Sequence, residues 1–220
     1  MKFDRVPLVN YTRGEEIVNC ISHALGLILS GCIVARCVLP SVHAGDKIRI
    51  VCSLLYCFGI TVMFLGSALY HGTRPSYRKR VLRLLDHCMI FFAVAGTATG
   101  CVPAVYDTVG VGAAVLMTCC AWVGAGLGLA LTFWNFEKTK GVRIALYIGT
   151  AAVCAVCGGK AFTILPHSAF FAFLGGSGAL LTGTALYGVG KKVRYFHCVF
   201  HVFIVIGLAI FFWGIQLHCF

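Results

Sequence analysis

Seven long apolar segments constrain the fold of this chain more than any other feature of its sequence. Each is about 20 residues long, the length that an α-helix needs to cross the hydrocarbon core of a bilayer. Helices are favoured there because every backbone N–H and C=O must be hydrogen-bonded within the protein. The sequence therefore predicts an all-α membrane protein, a seven-helix transmembrane bundle. The segments lie at about residues 17–39, 48–70, 84–106, 109–133, 143–165, 169–189 and 195–216.

The composition supports this fold class, and the connections between the segments are too short for a soluble domain. Of the 220 residues, 60% are hydrophobic and only 11% are charged, a balance that soluble single domains do not need. We expect an amino-terminal tail over residues 1–16, one transmembrane domain over residues 17–216 and a short tail over residues 217–220. The first segment is too long for the apolar region of a signal peptide.

The net charge of +11 is distributed as an orientation signal. Fourteen Lys and Arg residues lie on one side of the predicted membrane and four on the other, and such an excess marks the cytoplasmic side. We therefore expect a cytoplasmic amino terminus and an external carboxyl terminus. The alternative interpretation of Arg78–Arg80 is a patch that binds lipid head groups or nucleic acid. For the protein as a whole we expect membrane lipid as partner, with no nucleic acid and no soluble protein. The fourteen residues are Lys2, Arg5, Arg13, Arg74, Arg78, Lys79, Arg80, Arg83, Lys138, Lys140, Arg143, Lys191, Lys192 and Arg194.

Two histidines four residues apart, His197 and His201, lie near the start of the last apolar segment. Residues at i and i+4 share one face of a helix, so both imidazoles can reach one metal ion. His71, at the end of the second segment, lies at the same predicted depth and supplies a third nitrogen. We interpret the three as a buried metal site. A lone histidine near a helix end is more often an interfacial hydrogen-bonding group than a ligand, and we favour that interpretation for His23, His87 and His218.

Asp86 is an acidic residue inside an apolar segment, near the cytoplasmic start of the third. A carboxylate there costs about 2.5 to 3.5 kcal/mol even on lenient insertion scales, so it usually faces the bundle interior and a partner. Its expected partner is the metal or the water on it. Ser67 stands one turn before His71 and is expected beside the same site. The alternative for Ser67 is a hydrogen bond to a carbonyl of its own helix, as is common for membrane serines.

The thirteen cysteines are interpreted as packing residues. Cys154 and Cys157 have the C-x-x-C spacing of some metal and redox sites. That spacing is weak evidence here, because cysteine is a small apolar residue that is common in buried helices. We expect Cys219, close to the carboxyl terminus, to be the most exposed and reactive thiol.

Four short motifs stand out along the chain: Glu15-Glu16-x-x-Asn19-x-x-x-His23, Ser67-x-x-x-His71, Leu85-Asp86-His87 with Ala95-Gly96-Thr97, and His197-x-x-x-His201-x-Phe203. Together they resemble the hemolysin III family. The likeness runs from about residue 13 to residue 213, and the family is related to the progestin and adipoQ receptors and, more distantly, to the alkaline ceramidases. The short tails are similar to the bacterial branch, which implies an integral protein of the bacterial plasma (inner) membrane.

The resemblance implies a seven-helix bundle with zinc near its cytoplasmic face. It assigns His71, His197 and His201 as the zinc ligands, Asp86 as the residue that holds the water on the zinc, and Ser67 as the neighbour of that water. The chain departs from the family pattern outside this set, and those changes concern the fit of a lipid more than metal binding. They are Ala98 and Gly100, in a stretch that is usually Gly-Thr-Tyr-Thr-Pro, and Phe211 in place of a common histidine.

Three neutral imidazoles leave one coordination position open, which is typical of catalytic zinc. Such an ion lowers the pKa of its water to about 7, and we expect Asp86 to act as general base while Ser67 hydrogen-bonds the oxyanion. The expected reaction is hydrolysis of a lipid amide or ester. Two alternatives stay open: a membrane-perturbing cytolysin, for which the sequence shows no ring of charges, and a lipid-binding receptor or regulator with structural zinc.

Overall fold

A computed structural model of the chain describes residues 6–189 and 193–220. Within these residues it contains no strand and seven helices long and apolar enough to cross a membrane, so the predicted fold class is confirmed. Four of the basic residues in the orientation argument, Lys2, Arg5, Lys191 and Lys192, lie outside the described residues, and the orientation stays a prediction. The helices are α1 (Arg13–Ala44), α2 (Lys47–Gly72), α3 (Tyr77–Thr108), α4 (Val111–Trp134), α5 (Lys140–Thr163), α6 (His167–Val189) and α7 (Phe196–His218).

Two helices, α1 and α3, begin several residues before the apolar segments from which they were predicted. Each begins at a polar capping residue. At the start of α1, Glu15 N donates to Thr12 Oγ1 at 3.3 Å and Thr12 N donates to Glu15 Oε2 at 2.8 Å, which is a capping box. At the start of α3, Lys79 N donates to Ser76 Oγ at 3.3 Å, which satisfies one of the free amides of the first turn. Four of the five basic residues before the third apolar segment, Arg78, Lys79, Arg80 and Arg83, are therefore helical, and Arg74 lies in the loop.

Close packing is strongest between α2 and α3. Each of α1 to α4 packs on the next, and α7 closes the bundle against α1 and α6. A Cβ atom at Gly59 of α2 would lie 2.3 Å from the Phe92 carbonyl oxygen of α3 and 3.1 Å from the Cα of Gly96. Only glycine permits this approach of the two backbones, so α2 and α3 are held in one rotational setting about their axes.

A long cavity of about 440 Å³ lies inside the bundle. α5 packs on α3 and α4 while α6 packs on α7, and α5 and α6 meet mainly at Gly159–Thr163. Most of the side chains on the cavity wall are apolar. The cavity reaches from Tyr11 and His201 to His218 and Cys219. We call the end with the starts of α1, α3, α5 and α7 the amino-terminal end, and the other the opposite end.

The expectation of an exposed thiol at Cys219 is wrong. Its side chain is only 3% exposed, and burial raises the pKa of the thiol to about 12. Cys219 follows the end of α7 and packs in the core of the bundle, and Arg49 Nε of α2 donates to its carbonyl oxygen at 3.2 Å. All thirteen cysteines are free, and the exposed one is Cys119 of α4. Cys154 Sγ lies 3.7 Å from the Met117 carbonyl oxygen.

Candidate metal centre

Three histidines from two helices converge at the amino-terminal end of the bundle. One ring nitrogen from each of His71, His197 and His201 lies within 4.8 Å of the other two. His197 Nε2 and His201 Nε2 are 3.1 Å apart, because the i, i+4 spacing places both rings on one face of α7. His71 reaches the same point from the last turn of α2. We call these three residues the histidine cluster.

The cluster offers nitrogens that fit a zinc ion. His71 Nε2 is buried and has no hydrogen-bond partner among the described residues, and the Nε2 atoms of His197 and His201 lie 3.1 Å from each other. A buried polar atom without a partner is costly, and buried nitrogens are normally satisfied by protein, water or metal. Three imidazoles form a recognised ligand set for catalytic zinc, with a fourth position left for water or substrate. The chemistry and burial of the donors therefore fit zinc.

Glu16 of α1 orients the His71 ring by contacting its Nδ1 atom. Glu16 Oε2 lies 2.7 Å from His71 Nδ1, and Lys79 Nζ donates to Glu16 Oε1, also at 2.7 Å. A carboxylate at Nδ1 favours the tautomer whose Nε2 lone pair is free for a metal. Both His71 and Lys79 are almost fully buried. Sequence reasoning did not assign Glu16 a role, although it stands in the first of the family motifs.

His23 of α1 adds a fourth imidazole beside the cluster. Its ring stacks on that of His201 with centroids 3.8 Å apart and an interplanar angle of 26°. The side chain is 3% exposed, and neither ring nitrogen has a hydrogen-bond partner among the described residues. The hydrogen bond that the interfacial interpretation expects of His23 is not seen among the described residues; the side chain lies inside the bundle and contributes to the wall of the cavity.

Asp86 and Ser67 lie together on the cavity wall next to the cluster. The Ser67 hydroxyl lies beside the Asp86 carboxylate, and His71 is also close to that carboxylate. Ser67 is 2% exposed, and its one-turn spacing from His71 puts both side chains on the same face of α2. The hydroxyl therefore faces the carboxylate of a neighbouring helix, in contrast to a serine that only bonds its own helix.

The residues before α1 cover the histidine cluster at the amino-terminal end of the bundle. The Tyr11 ring stacks on the His197 ring with centroids 5.0 Å apart and an interplanar angle of 13°. Arg83 of α3 donates a hydrogen bond to the Pro7 carbonyl oxygen and so fixes this segment to the bundle. Burial raises the pKa of the Tyr11 phenol well above its usual range, so the ring is neutral at pH 7.

Two further histidines lie away from the cluster. His87 of α3 packs its ring at 5.0 Å from that of Phe136, edge to face, and it lines the same cavity. His218 lies at the opposite end, where its Nε2 is 3.1 Å from Ser168 Oγ. Sequence spacing alone left the role of His87 open, and the structure places it among basic residues.

Comparison with known proteins covers almost the whole chain. A family model described as "Haemolysin-III related" matches residues 11–212. The chain is 25% identical over 218 residues to "Hemolysin-3 homolog" of Bacillus subtilis (strain 168), with 95% of this chain and 96% of the relative covered. It is 24% identical over 208 residues to "Hemolysin-3" of Bacillus cereus, with coverage of 90% and 89%. The family match includes every residue of the histidine cluster, together with Asp86 and Ser67.

Proposed function

The chain belongs to the haemolysin-III-related family, and from that premise we propose that this multi-pass membrane protein binds zinc and hydrolyses a lipid amide or ester. One observation carries the proposal: one ring nitrogen from each of His71, His197 and His201 lies close to the other two, beside Asp86, at one end of a long apolar cavity. Zinc would be held by His71, His197 and His201. We place the protein in a bacterial plasma membrane with the amino-terminal end in the cytoplasm, as the charge distribution predicts.

The shape and lining of the cavity support a lipid as substrate. A volume of about 440 Å³ falls within the range of about 300 to 1,000 Å³ that is usual for small-molecule sites. Apolar side chains such as Ile204, Leu208 and Phe211 continue from the histidine cluster along α7. An acyl chain that lies along this wall brings its amide or ester bond to the polar end. Phe211, a departure from the family pattern, and Ala98 both line this part.

Zinc, when bound, supplies a Lewis acid that makes water more acidic and polarises a carbonyl group. The side chains around it would position and move protons. Asp86 would accept a proton from the attacking water and return it to the leaving amine or alcohol. The Ser67 hydroxyl has one hydrogen and now faces Asp86. Once Asp86 holds a proton, this hydrogen is free to turn towards the oxyanion of the substrate.

The test separates loss of the base from loss of the metal. In purified protein Asp86→Asn should keep its zinc, because all three histidine ligands remain, and should release fatty acid from lipid amides or esters at least about 100-fold more slowly. Asp107→Asn is the matched control, since Asp107 pairs with Arg49 at the opposite end, and it should leave hydrolysis unchanged.

One result would contradict the role of Asp86, and two others would contradict the proposed hydrolase. Unchanged hydrolysis in the Asp86→Asn protein would remove Asp86 from the mechanism. Zinc-loaded wild-type protein that releases no fatty acid from a broad panel of lipids would point to a bracing role for the metal. Leakage of solutes from liposomes that is unaffected by removal of zinc would favour a cytolysin.

A further inference from the structure

Three basic side chains border the cavity beside the histidine cluster: Arg83 of α3, and Lys140 and Arg143 of α5. Among the described residues, none of the three forms a salt bridge; the salt bridges that are present join other pairs. Glu16 is taken by His71 and Lys79. The wall of the cavity at this end therefore carries an excess of positive charge. We call the three residues the basic wall.

Arg143 is the most deeply buried member of the basic wall. Its side chain is 3% exposed, its Nη2 donates to the Phe136 carbonyl oxygen at 2.8 Å, and its Nη1 has no partner among the described residues. The guanidinium carbon lies 4.5 Å from the centroid of the Phe136 ring, and that of Arg83 lies 5.2 Å from the same centroid. Two buried cations on one ring repel each other in a medium of low dielectric constant, and an anion between them would relieve the repulsion.

The basic wall adjoins the proposed reaction centre. Lys140 Nζ lies 5.5 Å from the centroid of the Tyr187 ring, and that ring lies 5.5 Å from the ring of His197. On the other side, the charge of Arg83 acts on Asp86. A ligand whose apolar part fills the cavity would therefore place its polar end between the histidine cluster and these cations.

We infer that Arg83, Lys140 and Arg143 form a subsite for an oxyanion head group, such as a phosphate, on a single-chain amphiphile whose tail fills the cavity. Guanidinium groups match the planar, two-point geometry of phosphate and carboxylate, and lysine adds a point charge. The inference rests on the proposed function in that the head group belongs to the lipid acted on there. Binding of the head group itself requires no hydrolysis and can be measured alone.

The experiment measures equilibrium binding to full-length protein in a neutral detergent. The probes are hexadecyl phosphate, hexadecanol and inorganic phosphate. Hexadecyl phosphate should bind at least about tenfold more tightly than hexadecanol, and equimolar inorganic phosphate should not displace it, because the tail contributes to affinity. Lys140→Gln and Arg143→Gln should each weaken binding of hexadecyl phosphate by about 10- to 100-fold and leave hexadecanol unchanged.

Arg78→Gln is the matched control, because Arg78 is exposed at the same end and lies outside the cavity. This variant loses the same charge and should bind hexadecyl phosphate like the wild type. Lys140 is only partly buried, so Lys140→Gln tests the subsite even where loss of the buried Arg143 impairs folding. A thermal melt of each variant identifies any that fails to fold.

Several outcomes would overturn the subsite. They are equal affinity for hexadecyl phosphate and hexadecanol, unchanged binding in folded Lys140→Gln protein, and efficient displacement by inorganic phosphate, which would indicate a site for small anions. The His201→Ala protein separates the two proposals, because it should lose hydrolysis yet still prefer the phosphate probe. Active hydrolysis without that preference would contradict the subsite alone, and the preference without hydrolysis in the wild type would contradict the hydrolase alone.

Discussion

At the amino-terminal end, the Glu16 carboxylate is held between His71 and Lys79, whereas at the opposite end Arg49 pairs with Asp46 and Asp107 on the surface. The His71 and Lys79 side chains are 0% and 2% exposed, but those of Arg49, Asp46 and Asp107 are 30%, 31% and 46% exposed. The same kind of ion pair therefore lies in two different dielectric surroundings within one bundle.

The difference teaches which charges constrain the site. Exposed ion pairs are screened by water and contribute little to stability. Burying a charge is costly, and a buried pair is disrupted strongly when one partner is removed. Asp46 mainly caps α2, where Arg49 N donates to its Oδ1 at 3.0 Å, and this bond holds the pKa of the carboxyl below its usual range. Glu16 sets the orientation of a proposed metal ligand, so changes there should act on the metal.

Removal of one proposed histidine ligand should give the largest difference in zinc content between variants at the two ends. Wild-type protein should carry about one zinc per chain, and His71→Ala, His197→Ala or His201→Ala should each lose most of it, because two imidazoles hold zinc poorly against water. Elemental analysis of purified protein measures this. The control is His218→Ala at the opposite end, which should keep its zinc. Full zinc content in all three cluster variants would eliminate the proposed site.

Chemical labelling should place the two ends on opposite sides of the membrane. In a cysteine-free protein, single cysteines at Arg78 and Lys138 should be protected from a membrane-impermeant maleimide in intact cells, while those at His43 and His167 should react. All four positions are exposed, so a lack of labelling reports the membrane and not burial. The reverse pattern would move the histidine cluster to the outer face and overturn the predicted orientation.

Glu16→Gln should have a smaller effect than loss of a ligand. Glutamine removes the negative charge behind His71 and should weaken zinc affinity by about 10- to 100-fold, as is typical for such supporting groups. Competition with a chelator of known affinity measures the change. Glu137→Gln removes an exposed acid from the same end and serves as control. Unchanged affinity in Glu16→Gln would show that the carboxylate does not orient a ligand.

Arg49→Gln should have the smallest effect on zinc binding among these predictions. The substitution breaks two solvent-accessible ion pairs, which contribute little, and one hydrogen bond to the Cys219 carbonyl oxygen. Zinc affinity should therefore stay within about twofold of the wild type, and the Tm should fall only slightly. Chelator competition and a thermal melt measure both. A large loss of zinc in this variant would show that charges at the opposite end also affect the metal site.

The sequence by itself determined the elements whose signal is local. Seven stretches are long and apolar enough to span a bilayer, and each forms a helix because no other backbone structure satisfies its hydrogen bonds there. The shared face of His197 and His201 follows from the helical repeat alone. The sequence also predicted that His71 lies at the same depth as these two residues, since all three are near the same predicted membrane surface.

Only the tertiary structure decided which side chains face one another. Adjacent residues of α1 show this: Glu15 accepts a hydrogen bond from Tyr195 N at 2.9 Å, while Glu16 accepts from Lys79 and contacts His71. Hydropathy fixes how deep a residue lies, but the rotation and tilt of each helix are set by packing against its neighbours. The placement of His23 on the His201 ring depends on that rotation, which no short stretch of sequence encodes.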